Sequence, residues 1–130
     1  MLQRARRASA ERRARVDAAA KAYESFLSTI ATPVFRMFAT AIKAEGHAFA
    51  VFTPAGGLRL SSERSPDDYI ELLLDTESDP PGVAARINRG RGSHLLTAER
   101  PIRDGAAVES LTEEDVLEFL LREIEPFVER

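Results

Sequence analysis

The chain has 130 residues, of which 44% are hydrophobic and 30% are charged, and its formal net charge is −3. This length fits one domain, and the composition is typical of a globular protein rather than a disordered or fibrous one. Because the chain has no cysteine, disulfides, thiolate catalysis, thiolate zinc sites and iron–sulfur clusters are excluded. We expect a single domain over residues 1–130.

The start of the chain is basic but does not resemble an export signal, because Asp17 and Lys21 interrupt the segment that follows the arginines. No run of about eighteen consecutive apolar residues follows, so the sequence predicts no transmembrane helix and no membrane partner. Together with the lack of cysteine, this pattern predicts a cytoplasmic protein.

Charge is divided unevenly along the chain. Residues 1–65 carry 11 basic and 5 acidic side chains, and residues 66–130 carry 7 and 16, so the halves are +6 and −9. Residues 1–15, here called the arm, contain six arginines and one acid, Glu11. Opposite charges favour docking of the two ends on each other or on a second copy, while two solvated faces are the alternative.

Apolar residues recur from position 16 at alternating spacings of four and three, which predicts a helix with one apolar stripe. The stripe that we expect to bind a partner consists of Val16, Ala20, Tyr23, Leu27, Ile30 and Val34. Proline disfavours helical geometry in the preceding residue, so Thr32-Pro33 predicts a kink or break with Thr32 as an N-cap. The two helices would cover residues 8–31 and 33–45, with Gly46 as the C-terminal cap.

The period of the apolar pattern changes to two after the second helix, which indicates strands. Turn residues rich in proline and glycine separate the five predicted strands, which cover residues 47–53, 58–62, 69–76, 83–89 and 94–100. Short connections between successive strands favour an antiparallel meander.

A final helix is predicted to begin after Thr112, whose hydroxyl suits an N-cap and is followed by acidic residues. Leu111 and Val116 fit a hydrophobic staple, and the leucines that follow form a buried stripe. The predicted fold class is therefore α+β: a kinked N-terminal helix pair, a five-stranded antiparallel meander sheet and a C-terminal helix packed on the sheet.

No motif predicts catalysis, a metal or a cofactor. The acidic segment from Asp75 resembles the start of a calcium-binding loop, but Pro80 occupies the position of the required glycine and Arg86 that of the bidentate glutamate. The two histidines, His47 and His94, lack the local spacing of a zinc site. We therefore predict no catalytic, cofactor-binding or metal-binding residue.

Three arginines near the fourth strand, Arg86, Arg89 and Arg91, form a candidate anion contact. The segment from Arg89 to Arg91 resembles the Arg-Gly-Arg core of minor-groove-binding AT-hooks, although the flanking prolines of that motif are absent. Cross-strand pairing of these arginines with acidic residues is the alternative interpretation.

The length of the first helix leads to a functional hypothesis. A segment of about 24 residues spans roughly 36 Å, which exceeds one face of a domain of this size, so part of the stripe needs another partner. We expect a non-enzymatic homodimeric interaction module, adaptor or chaperone-like, that binds a polypeptide on its sheet or helix groove. The first alternative is a nucleic-acid-associated protein using the arm and the 86–91 hairpin, and the second is a small-molecule enzyme without a recognisable motif.

Overall fold

The structure, a computed structural model, describes residues 2–129 and has the predicted α+β architecture. One long helix comes first and comprises α1 (Leu2–Phe26), a π-helical turn (Leu27–Ala31) and α2 (Thr32–Ala44). Five strands follow: β1 (Phe49–Phe52), β2 (Leu58–Ser62), β3 (Tyr69–Asp75), β4 (Gly82–Arg91) and β5 (His94–Pro101). A 3-10 turn (Val108–Ser110), α3 (Glu113–Glu123) and the short α4 (Glu125–Val128) complete the chain.

The sequence predicted a kink or break at Thr32-Pro33, and the helix continues through this point without a break, with the π-helical turn directly before it. Thr32 is helical, with φ −62° and ψ −47°, and its amide donates to the carbonyl of Leu27, so it is not an N-cap. Pro33 follows the π turn at the start of the second α-helical segment, a position at which proline is common. The predicted C-terminal cap is confirmed: Gly46 has φ +97°, and the His47 amide donates to the Ile42 carbonyl at 2.9 Å.

The sheet is the predicted antiparallel meander, with strand order β1-β2-β3-β4-β5. Alternate residues point to opposite faces, and the face toward the helices carries buried apolar side chains such as Leu60, Ile70 and Ile87. These side chains share one core with Phe35 and Phe38 of α2 and with the buried residues of α3 and α4.

The other sheet face, here called the open face, carries a row of alternating charges across four strands. The register aligns Arg59, Glu71, Arg86 and Glu99. Arg59 Nε donates to Glu71 Oε1 at 2.6 Å, and Arg86 Nη2 donates to Glu99 Oε1 at 3.2 Å. For Arg86 the structure therefore shows the alternative interpretation, cross-strand pairing with an acidic residue.

The long helix is also apolar enough, by length and composition, to cross a bilayer. An 18-residue window within Leu2–Ala44 has a mean hydropathy of 1.3, and 39% of that window is buried inside the protein. Phe35, Phe38 and Ile42 lie in the core shared with the sheet. Packing against the sheet therefore accounts for part of the apolar character of this segment.

The buried stripe of α3 gives a direct test of the core. Leu120 is fully buried and Leu121, its neighbour, is 54% exposed. We expect Leu120→Ala to lower the free energy of unfolding by about 2–5 kcal/mol, because it removes a buried side chain and leaves a cavity. The matched variant Leu121→Ala should lower it by less than about 0.5 kcal/mol. Urea titration followed by circular dichroism measures both, and equal losses would show that the docked face of α3 is misassigned.

Candidate interaction site

The described part of the arm, residues 2–15, is an exposed α-helix that continues beyond the core. At about 1.5 Å per residue this segment is roughly 21 Å long. Its six arginines form no ion pair with any described residue. Exposed arginines that lack a carboxylate partner among the described residues make the arm a candidate for binding an anionic surface.

Only part of the predicted partner-binding stripe lies on the surface. Tyr23 and Val34 belong to the core of the chain, and Leu27 and Ile30 pack against that core half-buried. This leaves the beginning of the stripe, where Val16 is half-buried and Ala20 is exposed. The structure therefore divides the stripe between intramolecular packing at its C-terminal end and surface at its N-terminal end.

Packing at the base of the arm fixes the direction in which the helix leaves the domain. α1 contacts the 3-10 turn Val108–Ser110. Arg12, Arg15 and Val16 line a small cavity together with the β3–β4 turn, which contributes Glu77 and Asp79. The acidic turn that resembles a calcium loop thus lies beside two arginines, and no group of His, Asp or Glu suited to a metal ion occurs within residues 2–129.

Tyr23 has an unusual environment at the end of the exposed segment. Burial, with a smaller contribution from the charge of Glu71, raises the pKa of Tyr23 to about 12. Its hydroxyl is buried and has no hydrogen-bond partner among the described residues. A neutral, unpaired phenol is a structural group here, because it has neither a proton acceptor nor access to solvent.

The three arginines of the candidate anion contact are not brought together. Arg86 lies on the open face with Glu99, whereas Arg89 and Arg91, at odd positions of β4, lie on the helix face. Arg89 donates to the Pro126 carbonyl at 3.4 Å, and together with Arg91 it lines a recess of about 680 Å³ beside α4. Only this pair can act on one ligand.

The C-terminal segment, residues 111–129, is acidic, whereas the arm is basic. Two of its acids are paired: Arg100 forms two hydrogen bonds with Glu123, and Arg103 Nη1 donates to Asp115 Oδ2 at 2.9 Å. Five other carboxylates are exposed and form no ion pair with a described residue: Glu113, Glu114, Glu118, Glu125 and Glu129. This surface attracts cations.

Asp115 also holds the start of α3. The predicted N-cap is confirmed: the Thr112 hydroxyl accepts from the Asp115 amide, and the Asp115 carboxylate accepts from the Thr112 amide. Desolvation acts to raise the pKa of Asp115, but these hydrogen bonds and the charge of Arg103 outweigh it and lower the pKa below its usual 3.8.

No family model matches the chain, and neither a curated protein nor a solved structure matches it.

Tyr23 provides a test of whether this end of the stripe is core. We expect Tyr23→Phe to keep or raise the free energy of unfolding, by about 1 kcal/mol at most, because it removes a buried hydroxyl without a partner. Tyr23→Glu should destabilise strongly, because it buries an unpaired charge. Urea titration measures both, and a well-folded glutamate variant would show instead that the side chain lies on the surface.

Asp115 provides a test of the cap and of its pH dependence. A lowered folded-state pKa means that the carboxylate stabilises the fold above its ordinary pKa, and that this contribution is lost as the pH falls through the folded-state pKa. We expect Asp115→Asn to cost about 1 kcal/mol at pH 7. Urea titrations at pH 7 and at pH 3 should show a smaller difference from the wild type at the lower pH. A difference that grows as the pH falls would contradict the assignment.

Proposed function

We propose that this chain is a non-enzymatic interaction module that assembles as a homodimer, adaptor or chaperone-like, with the arm as its binding element. The observation that carries the proposal is the exposure of residues 2–15 on a helix whose second half is core. Isolated helices of this length are marginal in water. A rigid, highly charged helical extension therefore gains most from a surface that binds it.

Charge favours the acidic C-terminal surface of a second copy as the partner of the arm. Two arms side by side would repel each other, because residues 1–15 carry six arginines and a single acid. The five exposed carboxylates of α3, α4 and Glu129, which form no ion pair with a described residue, have the opposite sign. Residues 2–15 stay exposed within the chain, so its own C-terminal segment leaves the arm available. Reciprocal exchange of arms about a two-fold axis would satisfy both surfaces.

In this arrangement only the N-terminal end of the apolar stripe can contribute to a dimer interface. Val16 and Ala20 remain at the surface next to the arm, while Tyr23 and Val34 already serve the core. The proposed interface is thus electrostatic along the arm and weakly apolar at its base. Such an interface should weaken as salt concentration rises.

Removal of residues 2–15 tests the proposal. Light scattering coupled to size exclusion should show a dimer for the full chain and a monomer for the truncated chain at tens of micromolar. The melting temperature should change little, because the arm contributes no side chain to the core. A full chain that is already monomeric at this concentration would refute the homodimer.

A matched pair of variants separates charge from helix length. The triple variant Arg6→Glu, Arg7→Glu and Arg13→Glu should give a folded monomer, because it reverses the attraction to the acidic surface. The triple lysine variant at the same positions keeps the charge and should remain dimeric. If the lysine and glutamate variants had the same mass, the charge argument would fail.

A nucleic-acid-associated function is the second candidate, and the observation that favours it is that the arginines of the arm form no ion pair with residues 2–129. Such a protein would bind duplex DNA with an affinity that falls steeply with salt. The 86–91 hairpin contributes fewer arginines to a nucleic-acid contact than the sequence suggested, because Arg86 is paired with Glu99 on the sheet face opposite to Arg89 and Arg91. Fluorescence anisotropy with a labelled duplex decides: submicromolar binding by a monomeric chain at physiological salt would favour this function. The cytoplasmic location stays a prediction.

A further inference from the structure

β5 is a long, uncovered edge of the sheet. It is the last strand in the sheet order, and its outer side faces no other strand among the described residues. Leu95 is 59% exposed and Leu96 is 46% exposed. Natural proteins usually protect such edges with charges, bulges or coverage, and an exposed apolar edge pairs readily with another strand. The first half of β5, from His94 to Ala98, contains no Asp, Glu, Lys or Arg.

The register shows which backbone groups this edge presents. The Ile102 amide donates to the Val83 carbonyl at 2.9 Å, so even-numbered residues of β5 direct their backbone groups toward β4. The amides and carbonyls of Leu95, Thr97 and Glu99 therefore point to the free edge. They can form an antiparallel or parallel ladder with one added strand.

A groove beside this edge lies on the helix face. A notch of about 140 Å³ has apolar walls formed by Ile87, Leu96, Ala98 and Phe127, and the paired Arg100 and Glu123 also line it. The notch adjoins the wider recess, because Arg89 and Pro126 line both cavities. The notch has the size of one aliphatic side chain. Arg91 lines the recess, and neither Arg89 nor Arg91 pairs with a described carboxylate, although Glu129 lines the recess too.

We propose that the β5 edge binds an extended polypeptide segment that places an aliphatic side chain in the notch and a carboxylate near Arg89 and Arg91. The register puts Leu96 opposite Arg89 and His94 opposite Arg91. These rows are two residues apart, so the acidic and aliphatic residues of the segment alternate on one face of the added strand. This inference adds a binding site to the proposed interaction role and does not involve the arm.

Charge favours such a segment over the same strand of a second copy. On the helix face β5 carries His94, Leu96, Ala98 and Arg100. None of these side chains supplies a carboxylate to Arg89 and Arg91. A partner with an acidic residue beside its aliphatic residue complements the groove, whereas a second β5 adds only basic and neutral side chains on the helix face, because its one acid, Glu99, lies on the open face.

The probe is a fluorescein-labelled seven-residue peptide, TETLTLT, with TKTLTLT as its control. Wild-type protein should bind the glutamate peptide about tenfold more tightly than the lysine peptide, as measured by anisotropy at low salt. The double variant Arg89→Glu and Arg91→Glu should reverse this preference. Two results would overturn the proposal. One is no saturable binding at protein concentrations up to about 1 mM, and the other is an unchanged preference in the double variant.

Substitution of Thr97 by proline tests the edge itself, because the backbone amide of Thr97 points away from β4. Thr97→Pro should weaken binding by about tenfold or more, since it removes a ladder donor and places a ring at the edge. Thr97→Ala is the matched control, because it loses the same hydroxyl bond to Asn88 but keeps the amide. Equal binding by the two variants would overturn the edge.

Melting temperatures of both Thr97 variants establish that each is folded. The double variant at Arg89 and Arg91 leaves the backbone of β5 unchanged, so it tests the proposal even if Thr97→Pro does not fold. The truncation of residues 2–15 should leave peptide binding unchanged, so failure of the arm proposal and failure of this one are distinguishable. Light scattering gives the mass in solution of the wild-type protein and of both Thr97 variants. If Thr97→Pro is a monomer while the wild type and Thr97→Ala are dimers, a second copy occupies the edge and the peptide proposal is wrong.

Discussion

The contact between α2 and the meander sheet organises this protein. Phe35 and Phe38 share the core with Leu60 and Ile70, and α3 with α4 contributes buried side chains to the same core. Because α2 continues without interruption into α1, the position of the sheet also determines where the arm begins. The arm is therefore a consequence of core packing, since a rigid helix longer than the sheet must leave the domain.

The distribution of charge follows the same division between core and extension. Several acids and bases of the sheet are matched in pairs, such as Arg59 with Glu71 and Arg100 with Glu123, whereas Arg89 and Arg91 have no carboxylate partner among the described residues. The arginines of the arm and the exposed carboxylates of α3 and α4 form no ion pair among residues 2–129, although Arg12 and Arg15 lie near the acidic β3–β4 turn. Exposed ion pairs contribute little to stability, so the unmatched groups cost the fold little. They do set the electrostatic field that a partner meets.

Two surfaces remain uncovered in different ways. The arm offers charge on a helix, so its association should depend on salt. The β5 edge offers backbone hydrogen bonds and exposed leucines, so its association should depend less on salt and more on the conformation of the partner. An adaptor with two such surfaces could hold a second copy with one and an extended segment with the other.

Local patterns in the sequence determined the strands, the cap at Thr112 and the glycine at position 46, because each depends on neighbouring residues alone. The period-two pattern and the turn residues between runs identify all five strands, and the alternation of residues assigns their faces. The arm was also visible as a charge pattern. What the pattern could not show was whether that segment would be covered, since coverage depends on residues far away in the chain.

Tertiary structure decided the remaining points, each for a physical reason. A π turn carries the helix through Pro33, and local propensity predicts a break there because it does not include the packing that holds both halves on one core. The stripe from Val16 to Val34 keeps the same alternation of four- and three-residue spacings throughout, yet Tyr23 and Val34 are buried and Ala20 is not. Helical spacing specifies a face, and only the position of the sheet specifies how much of that face is covered.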